Sequence, residues 1–179
     1  MSGILTEEKG HYYLDCAKAV WASDEIHELY HLCGLPHLLS DADFVVETES
    51  SILLIEYKNA NVTEAIIHRD RTASFDPFQK DKFDKIVKKF YDSLHYLHLM
   101  GKTKPVHYIY VLEYPKGDTV TRKLLRNKLK DRLPFRMQSA LATGIKLIES
   151  FHVLSISEWN SHEIFGRYPL LPCSQTRKS

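Results

Sequence analysis

The chain has 179 residues, 44% hydrophobic and 26% charged, with a net charge of +1; this is ordinary globular usage and excludes a disordered or fibrous protein. One hydrophobic core commonly serves ~100 to 200 residues, so a single domain over residues 1–179 is expected. No apolar run approaches the roughly 20 residues needed to cross a bilayer, and Glu7, Glu8 and Lys9 interrupt the first ten residues, which argues against a secretory signal and a membrane partner and for a cytoplasmic protein.

In chain order, His11 to Cys33 contains no Gly or Pro and predicts helix, with Ser23, Asp24 and Glu25 starting a second helical segment. Gly34 and Pro36 close it. Two β-branched, apolar runs, 43–47 and 52–58, flank a short polar connection and predict a β-hairpin. Residues 59–76 are read as a loop with a short helix near 64–68. Phe83, Ile86, Val87, Phe90, Leu94 and Leu97 recur at three and four residues, which predicts an amphipathic helix closed by Gly101. A strand over 106–114 follows, then a basic helix over 121–133, an interruption at Pro134, helix over 135–142, a strand over 151–156 and a loose tail from 172 to 179. The order predicts an α/β (α+β) domain, a mixed central sheet flanked by helices, with a crossover returning the strand after the long helix beside the hairpin.

Charge is unevenly placed. Residues 1–58 hold three basic and eleven acidic residues, a net of −8, and residues 59–179 hold 21 basic and 12 acidic, a net of +9. The later half suits a polyanion and the earlier half suits cations. Cys16, Cys33 and Cys173 are odd in number and widely spaced, as expected of reduced thiols.

The chemistry concentrates in the hairpin. If Glu49 and Ser50 centre the turn, opposed residues have numbers summing to 99, so Asp43 faces Glu56 and Asp41 faces Lys58. Period-two alternation keeps Glu56 and Lys58 on one face. Opposed acids repel unless a cation compensates them, and a divalent ion with oxygen ligands, Mg²⁺ or Mn²⁺, meets that need. Lys58 would then position or deprotonate a water, or neutralise charge on a phosphate.

Asp43, twelve further residues and then Glu56, Tyr57, Lys58, on a hairpin between helices, resemble the PD-(D/E)XK nuclease superfamily, the restriction-endonuclease-like fold. The resemblance covers about residues 15–115 in element order. It implies that Asp43 and Glu56 hold Mg²⁺ or Mn²⁺, that Lys58 assists the water attacking a phosphodiester, and that Glu28 or His31 from the preceding helix adds a ligand. Ala42 stands where the motif has Pro, and the short space after Gly34 leaves Asp41 and Asp43 both open as the ligand.

A second string overlaps this one. Residues 27–37 read H-E-x-x-H-x-x-G-x-x-H, similar to the zinc motif of metzincin peptidases, in which His27, His31 and His37 would hold Zn²⁺ and Glu28 would act as general base. The residues before His27 read as helical and not as the twisted sheet expected before such a helix, which argues against the peptidase. Between Lys116 and Arg136 lie eight basic residues and two acids. Arg122, Arg126 and Lys130 at i, i+4 spacing, with Lys82, Lys85 and Lys89 of the long helix, form the expected surface for the phosphates of DNA or RNA. The expectations are therefore a metal-dependent nuclease, a zinc peptidase, or a non-catalytic nucleic-acid-binding or scaffold protein, with a homodimer or a protein partner as further expectations.

Overall fold

The computed structural model describes residues 3–61 and 75–173. The chain runs through β1 (Ile4–Thr6), β2 (Tyr12–Asp15), β3 (Trp21–Ser23), α1 (Ile26–Leu32), β4 (Phe44–Glu47) and β5 (Ile52–Asn59). It continues through α2 (Lys80–Leu99), β6 (Val106–Glu113), α3 (Thr119–Lys130), α4 (Phe135–Leu141), β7 (Ser150–Leu154), α5 (Ile156–Ser161) and β8 (Leu170–Pro172). Five strands form a mixed sheet in the order β3-β4-β5-β6-β7. The first two pairings are antiparallel and the last two parallel, because α2 after β5, and α3 with α4 after β6, supply the long crossovers that parallel pairs require. A smaller antiparallel sheet has the order β1-β2-β8.

Alternation along the central strands builds two cores. Val45, Ile52, Leu54, Tyr108, Tyr110, Phe151 and Val153 pack on one side with Ile86 and Phe90 of α2 and Leu125 and Leu129 of α3. Phe44, Val46, Leu53, Ile55, Ile109 and Val111 face the other side, where Leu5, Leu14, Trp159, Phe165 and Leu170 cover them. Both faces of β5 and β6 are thus apolar, as parallel strands between two layers must be. Glu56 and Lys58 share the parity of Ile52 and Leu54, so they rise from the face that carries α2.

Several sequence expectations change. The helix expected over 11–33 is replaced by β2 and β3, leaving helix only from Ile26 to Leu32. Tyr12, Tyr13 and Leu14 pair with residues 170–172 of β8, so a tertiary partner overrides local pattern. Ser23 ends β3 and its Oγ accepts the Glu25 N–H at 3.1 Å just ahead of α1, and Gly34 ends the segment at φ +71°. The strand expected over 151–156 stops at Leu154, because Ser155 and Glu158 form a reciprocal capping box that starts α5. Residue 172, expected in the loose tail, closes β8. Most of the expected 59–76 loop, with its 64–68 helix, lies outside the described residues. No helix among the described residues is long and apolar enough to cross a membrane.

Candidate active site

The β4–β5 turn sets the register. The Thr48 N–H donates to the Ser51 carbonyl at 2.8 Å, and Thr48 Oγ1 accepts the Ser51 N–H at 2.9 Å. Phe44 then opposes Ile55 and Val45 opposes Leu54, the expected sum of 99. Continuing that register places Asp43, one residue before β4, opposite Glu56. Near the turn, Glu47 is held by Lys102 at 2.6 Å and Lys104 at 2.9 Å.

The segment entering β4 is tied to α2. Ser93 Oγ accepts the Ala42 N–H at 2.9 Å, and Asp92 Oδ2 accepts the Ser40 N–H at 2.7 Å. Lys88 pairs with Asp92 on the same turn. With Ile86 and Phe90 in the core, Lys89 is turned toward the sheet. Its ammonium donates to both oxygens of Glu56, at 2.9 and 2.7 Å, and to Asp43 Oδ1 at 3.3 Å. Asp43 Oδ2 accepts the Tyr57 N–H at 2.7 Å. The two carboxylates therefore converge on one cationic point from neighbouring strands.

The pair is costly. Glu56 is 7% exposed and Lys89 15%, whereas the Asp43 side chain keeps 33% of its surface open. Burial and then the Asp43 charge push Glu56 up to about 8, against the pull of Lys89. Burial also raises Asp43, opposed by the Lys89 ammonium and the Tyr57 N–H. Lys89 would be drawn down by burial, but Glu56 and Asp43 outweigh it and keep the amine firmly protonated. The cost of burying the acids and the amine is thus set against their mutual attraction.

Lys58 projects two residues beyond Glu56 on the same face, ~6.6 Å along the strand. It is exposed, and among the described residues it makes no ion pair. Partial burial and the nearby charges of Lys9 and Lys82 hold it below the ordinary lysine range, while Glu56 acts in the opposite sense. Lys58 thus stands as an exposed amine two residues from the buried Glu56 on the same strand face.

The geometry sends the two acids that the sequence left open to different partners. Asp43 joins Glu56, whereas Asp41 turns to His27, 3.2 Å from its Nδ1. Glu28 and His31 lie exposed on α1, with no hydrogen bond or ion pair to Asp43 or Glu56 among the described residues. His37 is exposed beyond Gly34. No group of three or more His, Cys, Asp or Glu among the described residues is arranged to hold a metal ion, so the peptidase-like histidine triad is not assembled. For Mg²⁺ or Mn²⁺ the donor chemistry of Asp43 and Glu56 fits: two carboxylates aim hard oxygens at one point already filled by a cation, leaving further positions to water and phosphate.

The expected phosphate surface divides. Lys82, Lys85 and Lys130 are exposed and Arg126 is half-buried. Lys89 is the internal counter-ion of the acids. Arg122 is buried and forked onto Glu158, Nε to Oε2 at 2.8 Å and Nη2 to Oε1 at 3.0 Å, so its role is to dock α5 on α3. Tyr108 and Tyr110 are buried, Tyr108 donating to the Ile86 carbonyl at 2.8 Å, and they offer no stacking face. Sequence reasoning placed Lys89 on the phosphate surface and not beside the acids. Its signal was position: it follows Ile86 by three and precedes Ser93 by four, on the edge of the apolar face that packs on the sheet.

No family model, curated protein or solved structure matches the chain. The fold is a mixed α+β domain, and the geometry of Asp43, Glu56, Lys58 and Lys89 carries the functional argument.

Proposed function

We propose that this chain is a metal-dependent nuclease of restriction-endonuclease-like architecture, hydrolysing phosphodiester bonds of nucleic acid in the cytoplasm. The observation that carries this reading is the convergence of Asp43 and Glu56 on one cation position, with the exposed Lys58 two residues along the same strand face. Asp43 and Glu56 are the residues to hold Mg²⁺ or Mn²⁺, which when bound supplies Lewis acidity and a more acidic water. Lys58, with its basicity lowered, orients that water or takes its proton. Lys89 neutralises the two acids when no other cation lies between them. Lys82, Lys85 and Lys130 contact phosphates without reading bases.

A second reading is a non-catalytic nucleic-acid-binding or scaffold protein. One observation favours it: the Lys89 ammonium fills the point that the nuclease assigns to its metal. The test incubates wild type, Lys58→Ala and Glu56→Gln with Mn²⁺ and with single- and double-stranded DNA and RNA. The nuclease reading expects cleavage by wild type and a loss of at least ~100-fold in each variant. Salt-sensitive binding without cleavage under any divalent ion selects the second reading, and equal cleavage by wild type and Lys58→Ala overturns the assigned mechanism.

A further inference from the structure

The nuclease reading leaves the histidine motif of α1 without a task, although its geometry is specific. His27 and His31 lie one helical turn apart on α1 with ring centroids 4.5 Å from each other. Both are exposed to solvent, the His27 side chain by 64%. The Asp41 carboxylate, 18% exposed, reaches His27 Nδ1 at 3.2 Å from the far end of the 33–41 connection. A carboxylate oxygen accepts and cannot donate, so the neutral ring paired with Asp41 has its proton on Nδ1 and its lone pair on Nε2. This is the arrangement in which an outer carboxylate fixes the tautomer of a ligating imidazole and strengthens it as a donor.

We infer that His27 and His31 form a two-imidazole site for a borderline divalent transition metal, Zn²⁺ first, with Asp41 as its outer partner and water completing the coordination. Imidazole nitrogen suits Zn²⁺, Cu²⁺ and Ni²⁺ and is a poor donor to Mg²⁺, so this ion differs in kind from the one that Asp43 and Glu56 would take. Zn–N bonds of about 2.0 to 2.1 Å let one ion bridge rings this close through side-chain rotation. Glu28 and His37 play no part. The site is surface-exposed and two-coordinate from protein, which suits reversible binding. Through Asp41 it links α1 to the segment that delivers Asp43 to the acid pair.

The test is calorimetric titration of the whole chain with ZnCl₂, after removal of adventitious metal by chelation, in parallel with nitrogen hyperfine spectra of the Cu²⁺-loaded protein. The expected result is one equivalent bound, with two equivalent imidazole nitrogens on copper. His27→Ala and His31→Ala should each weaken that equivalent by at least ~10-fold, and Asp41→Asn by about 10-fold. His152→Ala, which alters a histidine remote in the fold, should leave it unchanged. The substituted imidazoles are solvent-exposed, so melting temperatures without metal should match wild type. Binding retained in the His27→Ala/His31→Ala double variant, or lost in His152→Ala, overturns the inference. Loss of nuclease activity in Glu56→Gln with Zn²⁺ binding intact separates this site from the proposed active centre.

Discussion

Glu56→Gln is the most informative substitution, because it removes one charge from a buried pair and changes almost no volume. Glu56 has an ordinary value of 4.5 and is raised to about 8 in the folded chain. A group raised in this way binds its proton more tightly when folded, so its stabilising effect is complete below pH 4.5 and is lost as pH climbs through 8. The shift from 4.5 to about 8 corresponds to roughly 5 kcal/mol across that window, an upper figure set by burial and the Asp43 charge. Urea unfolding of wild type from pH 5 to 8.5 should therefore show stability falling with pH. Glu56→Gln should flatten much of that slope, and at pH 8.5 it should be the more stable protein, with the proposed cleavage at least ~100-fold lower. Gain of stability with loss of function is the signature of a site built against the fold. If the variant is instead less stable at pH 8.5 than at pH 5 relative to wild type, the Lys89–Glu56 contact is a net stabilising ion pair. The account of the acids as a strained cation site then fails.

Other perturbations test the frame around the site. Arg122→Met should cost about 3 kcal/mol in urea unfolding at pH 7, because it strands Glu158 beside a buried interface. Glu158 is lowered to about 2, chiefly by the Arg122 hydrogen bonds, so the wild-type contribution is present above pH 4.5 and fades as pH falls toward 2. The difference between the two proteins should shrink over that range, and a constant gap would remove the ion pair as its cause. Phe90→Ala opens a fully buried position between α2 and the sheet and should cost about 3 to 5 kcal/mol. It should also reduce cleavage, since Lys89 is its neighbour on the helix; a variant that loses stability but keeps full activity would show that α2 does not position the site.

The hairpin and its acids were legible in the sequence because both depend on neighbours in the chain. A short polar turn between two apolar runs leaves one register that buries Val45 opposite Leu54, and period two then carries Asp43 and Glu56 to the same face. The long helix was legible for the same reason, its apolar face repeating every three or four residues from Phe83 to Leu97. Strands of three or four residues were not, because β2 is stabilised by β8, some 155 residues later, and no local period encodes that partner. Lys89 and Arg122 looked like surface cations, since a helical wheel reports which side is apolar and not what lies across from its edge. That was decided by packing: the crossover laid α2 over β5 so that an amine met two carboxylates, and α5 brought Glu158 to Arg122. Local pattern determined which acids share a face, while the tertiary fold chose their counter-ion, because Coulomb attraction acts across space between elements that the chain order keeps far apart.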